Sequence, residues 1–258
     1  MQAIEKNDVS DVTFRTKSPL CFDNFTSIPE LGRFVLVDGY EISGGGIITE
    51  GEYSDGSLYD SKPKSDDVSL SVPFVTQKER EGRLGQKGKV IWITGLPGSG
   101  KRIIAKVLER KLFDMGKNTF LLEGESIRVG LSSDLGFGDE ERTEQTRRVA
   151  EVANLFKRAG LYMIVCLISP FNRDREFARK LVGNADFVEV FINTPLKVCE
   201  KIDPHGIYSK SEKGMIKNVT GIDSIYEKPV VPDIKIDIRS ENFDLNKAVD
   251  KILSNLFK

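Results

Sequence analysis

Residues 89–102, with the sequence KVIWITGLPGSGKR, decide the fold. The apolar run at residues 89–94 is typical of a buried strand, and a glycine-rich segment follows it at once. Residues 95–101 fit G-x-x-x-x-G-K, a loop whose backbone N–H groups cradle phosphate oxygens at the N-terminus of a helix. Strand, loop and helix together predict a nucleotide-binding P-loop domain.

The loop supplies the residues that we expect to hold the nucleotide phosphates, and Lys101 would reach the β- and γ-phosphates. Arg102 stands where the motif has a Ser or Thr that ligates Mg²⁺. A guanidinium repels a metal ion and cannot coordinate it, so we expect weakened Mg²⁺ binding and retained nucleotide binding, with no metal ligand assigned. Arg102 is left either pointing to solvent or contacting phosphate itself. The expected nucleotide-binding residues are Gly95, Gly98, Ser99, Gly100, Lys101 and Arg102.

Further strands alternate with helical patterns after the loop. The strands are expected at residues 119–122, 162–168, 187–192 and 233–238. Strands that alternate with helices favour a parallel sheet covered on both faces. The fold class is therefore α/β, a three-layer P-loop domain with a parallel sheet.

The chain is expected to have three parts. Residues 77–258 form the P-loop domain, and residues 54–76, rich in Ser, Asp, Gly and Lys, read as a linker. Residues 1–53 form a short β segment, with strands at 11–15 and 32–37 and a turn at Gly44-Gly45-Gly46.

Composition excludes several classes of function. A net charge of −1 argues against nucleic-acid or membrane binding through bulk charge, and no apolar run approaches the roughly 20 residues of a membrane span. Three cysteines without C-x-x-C spacing fit reduced thiols in a cytoplasmic protein. His205 is the only histidine, which excludes a metal site built from several histidines.

From about Gln77 to the C-terminus the chain contains, in order, the segments GQKGKVIWITGLPGSGK, SIRVGLSSDLGF, RRVAEVANLFKRAG, ISPFNRDR, FVEVFINTPLKVCE, DPHGIY and TGIDSIYE. Through these segments it resembles adenylylsulfate kinase. The resemblance implies transfer of the ATP γ-phosphate to the 3′-hydroxyl of adenylylsulfate, which gives 3′-phosphoadenylylsulfate in sulfate assimilation. The implied ligands are ATP or ADP and adenylylsulfate, with Mg²⁺ made doubtful by Arg102.

The resemblance also implies roles for individual residues. Lys101 and Glu123 are implied as catalytic, with Glu123 near the attacking hydroxyl. Arg128 and Arg142 are implied to hold the phosphosulfate group, and Phe137 to stack on the substrate adenine. Residues 203–226, here named the lid segment, are implied to close over the nucleotide and exclude water. Further implied substrate contacts are Glu125, Gln145, Ile168, Ser169, Lys210, Lys217 and Thr220.

Several residues depart from the family pattern at this site. The family has Asp-Gly-Asp where this chain has Glu123-Gly124-Glu125, and the other departures are Gln145 for Asn, Ile202 for Arg, His205 for Lys and Val219 for Phe. Two functions stay open: an active adenylylsulfate kinase, and a catalytically impaired kinase-like module that binds nucleotide and regulates or scaffolds sulfate activation. A kinase for another small acceptor is a third reading.

The N-terminal stretch GRFVLVDGYEISGGGII resembles the closing strands of the last β-barrel domain of elongation-factor-like GTPases. The large subunit of sulfate adenylyltransferase contains such a domain, and some of these subunits are fused to adenylylsulfate kinase. The chain is therefore expected to correspond to the C-terminal part of a fused protein, as a natural short form or a fragment. An incomplete barrel exposes strand edges, so a second copy or a sulfate adenylyltransferase subunit is an expected partner.

Overall fold

The computed structural model describes residues 33–38, 41–47, 74–240 and 242–257. The chain divides into two compact units, Met1–Lys64 and Ser65–Lys258, which are described separately. The strand expected at residues 11–15 and most of the expected linker lie outside the described residues.

The first unit contains an antiparallel pair of strands. Strand β1 (Arg33–Asp38) pairs with β2 (Glu41–Ile47), with a register shift between Leu36 and Val37. The turn expected at the three consecutive glycines is wrong, because these glycines lie inside β2. A Cβ atom at Gly46 would lie 2.9 Å from the Phe34 ring of the paired strand, so a side chain there would require the ring to shift.

The second unit alternates strands and helices after an initial helix, α1 (Gln77–Leu84), which begins in a capping box between Thr76 and Glu79. The elements that follow are β3 (Lys89–Thr94), α2 (Lys101–Asp114), β4 (Thr119–Glu123), α3 (Gly124–Val129), α4 (Asp139–Arg158), β5 (Tyr162–Cys166), α5 (Asn172–Val182), β6 (Phe187–Asn193), α6 (Leu196–Ile202), α7 (Ile207–Glu212), β7 (Ile234–Asp237) and α8 (Leu245–Leu256).

A five-stranded sheet runs through this unit in the order β4-β5-β3-β6-β7, and every pairing is parallel. Apolar residues of α2 and α8 pack on one face, and those of α4 and α5 on the other. The predicted α/β fold with three layers is thus confirmed. Strand β3 lies at the centre, and its residues from Val90 to Ile93 are fully buried.

The carboxyl ends of parallel strands meet at one edge of the sheet, where folds of this kind bind ligands. The segments after β3, β4 and β5 contain the loop glycines, Glu125 and Ser169. Strand β5 ends at Cys166, two residues short of the predicted end, and Ser169 adopts a φ of 38°. Within the described part of the chain, no helix is long and apolar enough to cross a membrane.

Candidate active site

The glycine-rich loop, residues 95–101, joins the central strand β3 to α2 and is contacted by residues of α6 and α7. Gly98 has a φ of 68°, and a Cβ atom there would lie 2.9 Å from the carbonyl oxygen of Cys199 in α6. The hydroxyl of Tyr208 in the lid segment donates a hydrogen bond to the Pro97 carbonyl oxygen at 2.9 Å. The loop therefore needs glycine where it approaches α6, and it is tied to α7.

Lys101 turns its ammonium back over the loop and donates to the Leu96 carbonyl oxygen at 2.9 Å. The protein atoms around this ammonium remove it from water and so lower the pKa of Lys101. An anion bound in the loop would offset that loss of solvation. This arrangement fits the phosphate groups of a nucleotide.

Arg102 reaches across the carboxyl edge of the sheet instead of pointing to solvent. Its Nη2 forms a short ion pair with Glu125, its Nε lies 3.4 Å from Glu123 Oε1, and its Nη1 lies 2.7 Å from His205 Nε2. Lys106 Nζ is a second cation near Glu123, at 3.7 Å. The solvent-facing alternative for Arg102 is therefore wrong in this structure.

These contacts do not fit a conventional Mg²⁺ site. The residue after the loop lysine offers a guanidinium in place of a hydroxyl, and the two nearest carboxylates, Glu123 and Glu125, face that guanidinium. Within the described ranges, no group of three or more His, Cys, Asp or Glu side chains is arranged to hold a metal ion.

Two arginines flank the aromatic ring of Phe137. The Arg128 guanidinium carbon lies 4.3 Å from the ring centroid, and that of Arg142 lies 5.7 Å from it. Arg142 also donates to the Phe137 carbonyl oxygen at 3.0 Å and to the Asn218 carbonyl oxygen at 2.7 Å. Burial lowers the pKa of both arginines, so the two charges lie where a bound anion is favoured. The structure brings these three predicted substrate residues together.

Glu141 holds the loop that carries Phe137. Its carboxylate accepts hydrogen bonds from the backbone N–H of Gly136 at 2.6 Å and of Gly138 at 2.9 Å. These bonds lower the pKa of Glu141. Arg128 completes the loop by donating to the carbonyl oxygens of Leu135 and Gly136.

Gln145 of α4 and the predicted residues after β5, Ile168 and Ser169, form hydrogen bonds with neighbouring segments. Gln145 donates through Nε2 to the Gly124 carbonyl oxygen at 3.1 Å. The Ile168 carbonyl oxygen accepts from the Thr94 hydroxyl at 2.6 Å, and the Ser169 hydroxyl accepts from the Trp92 indole at 3.1 Å. These contacts fix the carboxyl ends of the central strands relative to each other.

The predicted substrate residues of the lid segment differ in their exposure to solvent. Lys210 and Lys217 are exposed, and Lys210 Nζ approaches the His205 carbonyl oxygen at 3.4 Å. Thr220 is fully buried. The roles of Lys210 and Lys217 in catalysis stay predictions.

Buried polar atoms without a hydrogen-bond partner collect among the predicted site residues. Each such atom costs about 1–3 kcal/mol when it is left unpaired, so their grouping in one region is typical of a site that a ligand completes. Those that belong to predicted site residues are Ser99 Oγ, Arg128 Nη2, Thr220 Oγ1 and Glu123 Oε1, the last of which also lies at ion-pair distance from Arg102 and Lys106.

Sequence reasoning missed three residues that shape the site. Tyr208 lies in the DPHGIY word, but only the fold brings its hydroxyl to the loop. Lys106 is one helical turn beyond Arg102, a spacing that places both on one face of α2. Glu141 lies in an acidic first turn, which was a usable signal for backbone N–H contacts at the start of α4.

The parallel sheet, the glycine loop and the half-buried loop lysine define a P-loop nucleotide-binding protein. The adenylylsulphate kinase family matches residues 87–237, and a GTP-eEF1A C-terminal domain-like family matches residues 1–49. The adenylyl-sulfate kinase of Clostridium acetobutylicum is 52% identical over 193 residues, which are 75% of this chain and 95% of that protein. The chain therefore belongs to the adenylylsulfate kinase family.

Two further similarities concern architecture. The chain is 37% identical over 253 residues to the bifunctional enzyme NodQ of Rhizobium meliloti, and the match covers 98% of this chain but only 38% of NodQ. The solved structure of the Mycobacterium tuberculosis APS kinase CysC in complex with AMPPNP and APS matches with a TM-score of 0.64 and 39% identity. That match covers 67% of this chain and 99% of the other.

Replacing Glu141 by alanine should free the loop that carries Phe137. We expect amide hydrogen exchange at Gly136 and Gly138 to accelerate at least about tenfold, because each N–H loses a charge-assisted hydrogen bond. Glu140→Ala is the matched control, since it removes the same charge from the adjacent exposed position. Equal exchange rates in the two variants would show that Glu141 does not hold the loop.

Proposed function

We propose that this chain transfers the γ-phosphoryl group of ATP to the 3′-hydroxyl of adenylylsulfate in sulfate assimilation. One observation carries the proposal: the segments that form the site lie within residues 87–237, the region matched by the adenylylsulphate kinase family. The relative from Clostridium acetobutylicum is named as that enzyme and matches along nearly its whole length.

In this proposal the donor nucleotide lies in the loop between β3 and α2. Backbone N–H groups of the loop and the α2 N-terminus bind the phosphates, and Lys101 neutralises charge on the β- and γ-phosphates. The unpaired Ser99 hydroxyl gains a phosphate oxygen as a partner. The CysC structure, solved with AMPPNP and APS, supports a site for two nucleotides in this fold.

Adenylylsulfate is proposed to lie between α3, α4 and the lid segment. Arg128 and Arg142 hold its phosphosulfate group through charge-assisted hydrogen bonds, and Phe137 stacks on its adenine. Nη2 of Arg128 has no hydrogen-bond partner in the structure and can donate a hydrogen bond to that group. The remaining predicted contacts, Glu125, Gln145, Ile168, Ser169 and Thr220, surround this region as part of the same proposal.

Transfer requires a base beside the attacking hydroxyl. The 3′-oxygen forms a bond to the γ-phosphorus, the bond from that phosphorus to the bridging oxygen of ADP breaks, and Glu123 takes up the hydroxyl proton. Glu123 Oε1 accepts no hydrogen bond in the structure, so it is open to one from the substrate. Lys101 and Arg102 are the cations that lie next to the transferred group, and no step is assigned to Mg²⁺.

The impaired, regulatory alternative gains no specific support from the comparisons. Three of the departures from the family pattern make contacts within the site. Arg102 forms an ion pair with Glu123, and Gln145 donates a hydrogen bond to the Gly124 carbonyl oxygen. We therefore treat them as changes within a working site. Val219, which stands for the family's phenylalanine, is buried against Tyr208 and Cys199 and supports the lid segment from within.

A second copy of the chain, or a subunit of sulfate adenylyltransferase, is proposed as a partner, and the cytoplasm as the location. The NodQ similarity over 98% of the chain supports a link with a larger bifunctional protein. The free, buried thiols of Cys166 and Cys199 fit a reducing compartment.

The test is direct assay of the full chain with ATP, Mg²⁺ and adenylylsulfate, following ADP and 3′-phosphoadenylylsulfate together. We expect turnover of about 1 s⁻¹ or faster, and at least about a hundredfold loss in Lys101→Ala. Lys111→Ala, at an exposed ion pair on the same helix, should keep the wild-type rate. Binding of ADP without any turnover would favour the impaired module instead.

Replacing Arg142 by lysine should weaken the binding of adenylylsulfate and leave the binding of ATP nearly unchanged. The lysine keeps the charge but loses the planar fork, so we expect the KM for adenylylsulfate to rise at least about tenfold and the KM for ATP to stay within about twofold. Arg147→Lys on the same helix is the matched control and should change neither value. An equal rise in both KM values would place Arg142 outside the acceptor site.

A further inference from the structure

Arg102 occupies a central place among the charged groups of the site. It is the second residue of α2, directly after the loop lysine, and its side chain is about one-third exposed. Each of its three guanidinium nitrogens contacts a different partner: Glu123 at the end of β4, Glu125 in α3 and His205 in the lid segment. One cation thus links three segments at the carboxyl edge of the sheet.

The Arg102 guanidinium lies beside the two carboxylates that a metal ion would otherwise use as ligands. In nucleotide sites of this kind a divalent ion bridges the phosphates and the nearby carboxylates. Here the carboxylates of Glu123 and Glu125 already face a guanidinium that belongs to the chain. A metal ion at the same place would lose those ligands to Arg102 and would be repelled by its charge.

The guanidinium also keeps donors for a phosphate. Arginine carries five N–H groups, and the contacts with Glu125 and His205 occupy one N–H on Nη2 and one on Nη1, which leaves one N–H free on each of these two nitrogens. Lys101 Nζ, the adjacent cation, is hydrogen-bonded to the Leu96 carbonyl oxygen of the loop. Two adjacent cations therefore serve one phosphate-binding loop.

We propose that Arg102 is a built-in cation at the metal position of the nucleotide site, so that ADP and ATP bind with little dependence on divalent ions. The inference rests on the proposed nucleotide site and deepens it. Arg102 acts here as a phosphate-binding residue, and Glu123 and Glu125 hold its side chain over the loop.

The experiment is calorimetric titration of the full chain with ADP, once with saturating Mg²⁺ and once with EDTA. For the wild-type chain we expect the two dissociation constants to agree within about fivefold, a difference of about 1 kcal/mol. In Arg102→Ser the dissociation constant in EDTA should rise at least about tenfold, and Mg²⁺ should recover most of that loss because a hydroxyl ligand is restored.

Two further variants make the result interpretable. Arg110→Ser removes an equal charge from an exposed position of the same helix and should keep the wild-type constants in both buffers. Arg102→Lys keeps the charge without the fork, and it should bind ADP in EDTA more tightly than Arg102→Ser does. Circular dichroism melting of each variant confirms that the fold is intact.

Wild-type binding that tightens more than about fivefold with Mg²⁺ would overturn the inference while leaving the nucleotide site in place. Unchanged binding of Arg102→Ser in EDTA would overturn it as well. Failure of the wild-type chain to bind ADP in either buffer would contradict the proposed nucleotide site itself, and this inference with it.

Discussion

A lysine ammonium held against a glycine-rich loop is the constraint on which the rest of the site depends. The central strand β3 is buried on both faces and fixes where the loop begins, and Gly98 lets the loop approach α6 closely. Lys101 then lies where protein atoms exclude water and lower its pKa. A charge in such a place is costly unless an anion accompanies it, so the fold itself favours phosphate.

The second cation, Arg102, joins this loop to the carboxylates at the end of β4 and in α3. Glu123 ends β4 and Glu125 lies just after it in α3, and their carboxylates meet the guanidinium because parallel strands present their ends at one edge. Beyond them, Arg128 and Arg142 flank the exposed ring of Phe137, and Glu141 fixes the loop that carries it. The site is thus a row of cations held by carboxylates and backbone carbonyl groups, which suits two anionic nucleotides.

Much of this architecture could be predicted because its signals are local. Apolar runs identify the strands, glycine spacing identifies the loop, and alternation with helices gives the parallel order. The direction of Arg102 could not be predicted, since it depends on His205, which is distant in sequence and reaches α2 only through the fold. The turn predicted at the glycines of β2 was wrong for a related reason. Glycine is common in turns, but in the structure Gly46 leaves space for the Phe34 ring of the paired strand. The roles of Phe137, Arg128 and Arg142 were predicted from the family resemblance, and the contacts among these three side chains are visible only in the structure.

The central claim is that the ammonium of Lys101 is desolvated in the free protein and is neutralised by nucleotide phosphate. The most direct measurement is titration of the Lys101 ammonium by heteronuclear NMR of the full chain, with the signal assigned through Lys101→Ala. The account predicts a pKa below the ordinary lysine value of about 10.4 in the free chain and a higher pKa when ADP is bound. An ordinary pKa that ADP leaves unchanged would contradict it.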